Sequence, residues 1–205
     1  MKLYWSSRSP FVRKVMVVAH EAGLVGRIDC VRAVVSAAKP NPEVMAENPL
    51  GKLPTLVVDG VGPIYDSRVI CEYLDGLHDG PKLFPVGGPE RLAALRRQAL
   101  GDGIMDFLLL WLGERNRPAE QQSARHIDGF RLKLAKSADA LEREVGALAE
   151  NPFGIGHIAL GCALSYADFR FADENWRAGR PRLADWHAQL ARRPSVQATE
   201  HVDTY

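Results

Sequence analysis

A segment rich in glycine and proline, residues 79–88, divides the chain into two parts whose apolar residues follow different periods. Before it, short β-branched stretches alternate with stretches in which apolar residues recur every three or four positions. After it, only the helical period occurs. We therefore predict an α+β N-terminal domain at residues 1–78, a linker at 79–88 and an all-α C-terminal domain at 89–205.

The local patterns predict the order of elements in each part. In the first, the order is strand, helix, strand, short helix, two-strand hairpin and helix, with the hairpin turning at Asp59-Gly60. In the second, helices are predicted to begin near Pro89, Ile127, Ile155 and Pro181. The second helix of this group carries apolar residues at steps of three and four over three heptads, which is typical of a bundle seam.

Charge and composition exclude several classes of partner. The 205 residues contain 26 Lys and Arg against 25 Asp and Glu, a net charge of +1, which favours neither nucleic acid nor an anionic membrane surface. The longest apolar run, Phe107 to Leu112, is far shorter than the roughly 18 residues that span a bilayer. No signal peptide is visible, and we expect a soluble, cytoplasmic protein.

Neither the cysteines nor the histidines suggest a reactive cluster. Cys30, Cys71 and Cys162 are widely spaced, without a Cys-x-x-Cys pair or a zinc spacing. We interpret them as small core residues. The six histidines have no spacing that indicates a metal site or a triad, and we expect no metal and no cofactor.

Three short segments of the first part carry polar groups that could bind a ligand. Ser6-Ser7-Arg8-Ser9-Pro10-Phe11 lies between the first strand and the first helix. There Ser9 could cap the helix, or its hydroxyl could donate to an anion held at the helix N-terminus. No cysteine lies in this loop, so any thiolate must come from the ligand.

The second and third segments precede a strand and a helix. In Asn48-Pro49-Leu50-Gly51-Lys52-Leu53-Pro54, proline stands just before a strand, so Pro54 either starts an edge or follows a cis bond that presents the Leu53 backbone to an extended ligand. Asp66-Ser67 opens a helix, where it could be simple capping or could bind an amino-acid head group, with the carboxylate on Ser67 and the ammonium on Asp66.

In this order, the three segments resemble the glutathione-binding domain of the glutathione S-transferases. The order of elements, strands and helices in the first part followed by helices alone in the second, resembles that of the same superfamily over essentially the whole chain. The resemblance is strongest to small bacterial glutathione S-transferase-like proteins, through Asp102-Gly103-Ile104-Met105-Asp106, Arg117-Pro118-Ala119-Glu120-Gln121-Gln122, Phe169-Arg170 and Gly179-Arg180-Pro181. It implies a thioredoxin-like first domain and a helical second domain.

The resemblance also implies roles for individual residues. Ser9 would contact the glutathione sulfur, with Ser6 and Ser7 as alternatives in the same loop. Leu53 would hold the cysteinyl backbone, the bond to Pro54 would be cis, and Lys52 would lie near the glycyl carboxylate. Asp66 and Ser67 would bind the γ-glutamyl end. A candidate pocket for the second substrate is formed by a set of apolar residues: Trp5, Phe11, Met105, Leu108 and Trp111.

One family feature is changed in this sequence. The helix before the last one often starts with Ser or Thr followed three residues later by Asp, a capping box. Ser165 and Asp168 have these types but lie too close to Pro181, whereas Gly154 and His157 have the right position and other types. We therefore predict Gly154 as the cap of that helix.

The function implied is that of a glutathione transferase with a role in detoxification. Glutathione would be a cosubstrate whose thiolate, activated by Ser9, attacks a small and partly apolar electrophile. A homodimer is also implied. Two other functions fit the same site: a glutathione-dependent isomerase, and a protein that binds glutathione or its conjugates without turnover.

Overall fold

The computed structural model describes residues 1–36 and 38–203, and these form two compact units. The first unit contains Met1–Val86 together with the C-terminal residues from Pro194 onward. The second contains Gly87–Arg193. The predicted fold class is confirmed: a small mixed sheet with helices is followed by a helical unit.

The first unit is built on a four-stranded sheet. Its elements are, in order, β1 (Lys2–Trp5), α1 (Pro10–Glu21), β2 (Asp29–Arg32), α2 (Pro42–Glu47), β3 (Thr55–Val58), β4 (Gly62–Ile64) and α3 (Ser67–Asp75). The strand order is β2-β1-β3-β4, with β2 parallel to β1 and the other two pairs antiparallel. The Asp59-Gly60 hairpin is confirmed, and Gly60 has a φ of 77°, a conformation that other residues rarely adopt.

Side chains of α1 and the sheet supply the core of this unit. Val15, Val18 and Ala19 of α1 are completely buried, as their helical spacing predicts. Leu3 of β1 and Leu56 of β3 are paired across the sheet and are also completely buried. The central strands and α1 are therefore fixed by apolar packing, which leaves the loops at the strand ends to carry polar groups.

The predicted linker is folded onto the first unit as far as Val86, and Asp75 at the end of α3 holds it there. The Asp75 carboxylate accepts backbone N–H bonds from Leu83 at 2.7 Å and Phe84 at 3.2 Å, and contacts His78 Nε2 at 3.1 Å. Lys82 donates to the Asp75 carbonyl at 2.8 Å. Because Leu83 and Phe84 are also buried, this glycine- and proline-rich stretch packs as part of the unit and is not an independent spacer.

The second unit contains four long helices: α4 (Gly88–Arg115), α5 (Ala124–Glu150), α6 (Ile155–Phe171) and α7 (Pro181–Leu190). Helix α6 is buried along most of its length, which places it at the centre of the unit. Gly101 of α4 permits a close approach, because a Cβ there would lie 2.5 Å from the Ala159 carbonyl carbon in α6. The Glu142 carboxylate of α5 caps α7 by accepting the N–H groups of Arg182 at 3.2 Å and Leu183 at 2.7 Å.

The end of the chain differs from its predicted place. Residues 89–205 were expected to form one helical domain, but the second unit ends at Arg193. A short helix, α8 (Pro194–Gln197), follows and belongs to the first unit. Arg13 of α1 donates to the Val196 carbonyl at 3.2 Å, and Ser195 donates to Glu21. These contacts join residues more than 170 positions apart, so local sequence patterns could not indicate them.

Candidate functional site

The candidate site lies at one end of the sheet, where three loops come together. The pairing of Tyr4 with Thr55 places the residues after β1 beside those before β3. The pairing of Leu56 with Ile64 places the residues after β4 at the same end. The segments around Ser9, Leu53 and Ser67 are therefore neighbours at this end of the sheet. Helices α1 and α3 both begin there, so two helix N-termini favour negative charge at this end.

Ser9 is the N-cap of α1. Its Oγ accepts a hydrogen bond from the Val12 N–H at 3.3 Å, and its own N–H donates to the Ser6 carbonyl at 3.2 Å. Pro10 occupies the first helical position, as predicted. A serine hydroxyl can accept and donate at once, and among residues 1–36 and 38–203 the Ser9 hydroxyl hydrogen has no acceptor, so it can be donated to a ligand.

The two neighbouring serines have other partners. Ser7 donates its hydroxyl hydrogen to the Val202 carbonyl at 2.9 Å, which engages the one hydrogen that it can donate. Ser6 Oγ accepts a long bond, 3.4 Å, from the Arg8 N–H. Of the three candidates in the loop, Ser7 is thus the one whose donor is already used.

The turn before β3 has an exposed Lys52 and a half-buried Leu53, and the Leu53–Pro54 peptide bond is cis, as predicted. Asn48, which is almost completely buried, shapes this turn. Its Nδ2 donates to the Lys52 carbonyl at 3.3 Å and to the Thr55 hydroxyl at 3.0 Å. In the described part of the chain, the N–H and C=O of Leu53 have no backbone partner. They are available to pair with an extended peptide ligand.

Asp66 and Ser67 open α3. Asp66 is the N-cap, and its Oδ1 accepts from the Arg68 N–H at 2.9 Å. Ser67 is the first residue of the helix and is 2% exposed, whereas Asp66 is exposed. The arrangement offers a hydroxyl and helix N–H groups for a carboxylate, with an acidic side chain beside it for an ammonium group.

The residues of the candidate second-substrate pocket divide between the two units. Trp5 and Phe11 are half-buried in the first unit. Met105, Leu108 and Trp111 are completely buried, and Trp111 packs against Phe130 and Phe171 with ring centroids at 6.1 and 4.6 Å. Packing of this kind is what a core position requires, and a role for these residues toward a substrate stays a prediction.

A Ser-His-Asp grouping in the second unit was missed from the sequence, because its members come from two helices. Ser165 Oγ lies 3.0 Å from His187 Nε2, and Asp168 Oδ2 lies 3.9 Å from His187 Nδ1. However, Arg177 Nη2 lies 3.2 Å from Nδ1 and can only donate, so Nδ1 accepts and Nε2 carries the proton. His187 then donates to Ser165 and cannot act as its base, which excludes a hydrolase-type nucleophile here.

The predicted cap of α6 is confirmed. Gly154 is the N-cap, and its N–H donates to His157 Nδ1 at 3.2 Å, while His157 Nε2 donates to the Leu148 carbonyl at 2.8 Å. The imidazole must therefore be neutral, and its burial lowers the pKa of His157 below the ordinary value. The histidine fills the place that an aspartate takes in the usual capping box.

Comparison with known proteins places the chain in a family. Residues 8–77 match the profile of the glutathione S-transferase N-terminal domain, and residues 122–189 match that of the C-terminal domain. The chain belongs to the glutathione S-transferase family. It is 35% identical, over 98% of both chains, to the uncharacterized GST-like protein YibF of Escherichia coli K12.

Solved structures of relatives contain glutathione or a conjugate. A glutathione transferase family member from Pseudomonas fluorescens Pf-5 with bound glutathione is 40% identical, with a TM-score of 0.95 and 98% of both chains covered. A second structure of a Pseudomonas fluorescens Pf-5 family member, with S-(propanoic acid)-glutathione bound, is 39% identical with a TM-score of 0.91, covering 98% of this chain and 100% of that one.

The described residues contain neither a membrane-spanning helix nor a metal-binding cluster. Among them, no helix has both the length and the apolar character needed to cross a bilayer. Residues 1–36 and 38–203 also contain no group of three or more histidine, cysteine, aspartate or glutamate side chains placed to hold a metal ion.

Proposed function

We propose that this protein is a glutathione transferase in which Ser9 activates the glutathione thiol. The observation that carries the proposal is the Ser9 hydroxyl at the start of α1, which accepts from Val12 N–H and keeps its hydrogen available. A thiol with a pKa of about 8.5 is only a few per cent ionised at neutral pH. A hydroxyl donor and a helix N-terminus both favour the thiolate and so lower that pKa.

In the proposed complex, the tripeptide lies along the end of the sheet where the three loops meet. The Leu53 N–H and C=O pair with the cysteinyl backbone, as an added strand would. The γ-glutamyl carboxylate binds Ser67 and the first N–H groups of α3, and its ammonium binds Asp66. The exposed Lys52 lies near the glycyl carboxylate. The glutathione-bound relative supports this use of the fold.

The reaction proposed is attack of the thiolate on a small, partly apolar electrophile. The thiol proton leaves to solvent, the sulfur lone pair forms the new C–S bond, and either a leaving group departs or an enolate takes up a proton. The relative that holds S-(propanoic acid)-glutathione supports a site that admits a small carboxylic acid on the sulfur. We therefore include unsaturated acids among the electrophiles to test, beside aryl halides and unsaturated ketones.

We also propose that the protein acts as a homodimer, which the family resemblance implies. Analytical ultracentrifugation of the full chain at micromolar concentration measures this directly. A single species with the mass of one chain would contradict it.

The test of the proposed mechanism is Ser9→Ala. We expect glutathione affinity to stay within a factor of about three, because the hydroxyl contacts only the sulfur. The bound thiol's pKa should rise, and turnover at neutral pH should fall about 10- to 100-fold, the effect of losing one hydrogen bond to a charged group. The thiolate absorbance of the binary complex is measured against pH, together with kcat.

Ser123→Ala is the matched control. Ser123 caps α5 in the same way, with its Oγ accepting from His126 N–H at 3.3 Å. It should lose a similar amount of helix stability without changing the thiolate titration. If Ser6→Ala shifts the titration and Ser9→Ala does not, the assignment to Ser9 is wrong. If the wild-type complex shows no thiolate at neutral pH and no turnover, the protein binds glutathione without activating it.

A further inference from the structure

The last described residues of the chain are bonded to the loop that carries Ser9. Ser7 donates to the Val202 carbonyl at 2.9 Å, and Arg8 Nη2 donates to the Asp203 carbonyl at 2.9 Å. Arg8 Nε also pairs with Asp203 Oδ1 at 2.8 Å. His201 Nδ1 lies 3.2 Å from the Ser7 carbonyl, which can only accept, so the imidazole donates. We call residues 201–203 the tail.

These contacts join two segments that have little regular structure of their own. The tail has no helix or strand, and Val202 and Asp203 are exposed, so little apolar burial fixes it. Between Trp5 of β1 and Pro10 of α1, the loop has one backbone bond of its own, from Ser9 N–H to the Ser6 carbonyl. Each segment therefore limits the freedom of the other, across a sequence separation of about 195 residues.

The contacts also exclude one hydroxyl of the loop, that of Ser7, from donating to a ligand. A serine hydroxyl has one hydrogen, and that of Ser7 is directed to Val202 and away from any ligand. The Ser9 hydroxyl keeps its hydrogen free, and its position depends on the backbone of residues 6–8. An error of about 1 Å in the place of a catalytic group can cost much of its effect.

We propose that the tail is a positioning element for the thiol-activating loop, acting through the Arg8–Asp203 pair and the Ser7–Val202 bond. This inference rests on the proposed function of Ser9. In it, Arg8 and Asp203 touch neither glutathione nor the electrophile. They hold the loop so that the Ser9 hydroxyl points to the sulfur. Without the tail, the loop samples other conformations and the thiolate loses its donor for part of the time.

A double-mutant cycle on Arg8 and Asp203 tests this. We expect Arg8→Ala and Asp203→Ala each to lower kcat about fivefold and to raise the bound thiol's pKa, with KM for glutathione little changed. The double variant should lose no more than Arg8→Ala alone, because Arg8→Ala already removes both the side-chain pair with Asp203 and the bond to its carbonyl. Asp203→Asn keeps an oxygen that can accept from Arg8, so it should recover part of the loss.

Glu47→Ala is the control, because it removes another half-buried ion pair of the same unit, Lys2–Glu47 at 3.7 Å. It should leave kcat and the thiolate titration unchanged. Independent losses, roughly 25-fold in the double variant, would overturn the proposal, as would single variants that behave like wild type. If the tail has only a structural role, these variants should have a lower melting temperature. The pKa of the bound thiol, measured at a temperature well below melting, should then be unchanged, which would also overturn the proposal.

Amide hydrogen exchange in the ligand-free protein separates this proposal from that for Ser9. We expect exchange at Arg8 and Ser9, whose N–H groups are bonded to Ser6, to be about fivefold faster in Asp203→Ala than in wild type and unchanged in Glu47→Ala. If the wild type does not ionise bound glutathione, the proposed function is wrong whatever the exchange shows. If the wild type does so, and exchange and kcat are both unchanged in Asp203→Ala, only the tail proposal is wrong.

Discussion

Replacing Gly101 by alanine tests how closely α4 and α6 are packed. The new Cβ would lie 2.5 Å from the Ala159 carbonyl carbon, 2.7 Å from its oxygen and 2.8 Å from Leu160 N, where ordinary contact needs at least 3.4 Å. All three atoms belong to the backbone, so no rotamer change can relieve the clash. The two helices must separate locally by about 1 Å, which loosens the packing of the buried side chains beside them.

The expected magnitude combines two opposing effects. Overpacking of a core costs about 1–3 kcal/mol, and the upper end applies because the obstacle is backbone. Alanine has about 1 kcal/mol better helix propensity than glycine. The net loss for Gly101→Ala is then about 2 kcal/mol, which lowers the melting temperature by about 4–8 °C for a chain of this length.

Gly103 in the same helix provides a matched control. A Cβ there meets no atom within 4 Å, so Gly103→Ala keeps only the propensity gain. It should raise the melting temperature by about 2–4 °C. Three of the four tryptophans, at positions 111, 176 and 186, lie in the second unit, so fluorescence during heating reports mainly on that unit. Equal shifts of the same sign in both variants would refute the close-packing argument.

Two further predictions concern polar groups at helix starts. Ser67→Ala should cost about 1–3 kcal/mol of glutathione affinity in calorimetry while the melting temperature stays close to that of wild type; unchanged affinity would return Ser67 to a purely structural role. Burial lowers the pKa of His157 below that of an unfolded histidine, so the native state loses stability as pH falls below about 6.5, where the unfolded chain takes up the proton first. In urea unfolding, the free energy of unfolding should fall less between pH 7 and pH 5 for His157→Asn than for wild type, since asparagine can still accept from Gly154 N–H. An equal fall in both proteins would exclude His157 as the cause.

The sequence predicts those structural features that are set by neighbours along the chain. Ser9, Gly154 and Asp66 cap helices as expected, because a cap depends on the few residues that follow it. The cis bond before Pro54 was expected from the family resemblance, because a proline just before a strand is also compatible with the start of an edge strand. For the Ser9 and Asp66 caps, the residue type and its immediate position contain the information.

Contacts between distant segments were missed for the converse reason. Nothing in the pattern of residues 194–203 indicates that they pack on the first unit, since a four-residue helix and a polar tail have no periodic signal. The glycine- and proline-rich segment suggested a linker, whereas Asp75, a residue outside it, binds it to the first unit. Boundaries set by a single buried side chain cannot be inferred from composition.

Helices α1 and α8 are in contact within the first unit, and this fixes the order in which the units can be completed during synthesis. Chains emerge from the ribosome N-terminus first. Residues 87–193 are continuous, so the helical unit has all its parts once they have emerged. The sheet unit must wait for Ser195 and Val196 to reach Glu21 and Arg13. The half of the protein that is translated first is therefore the last to be finished, and a prematurely terminated chain lacks the segment that closes it.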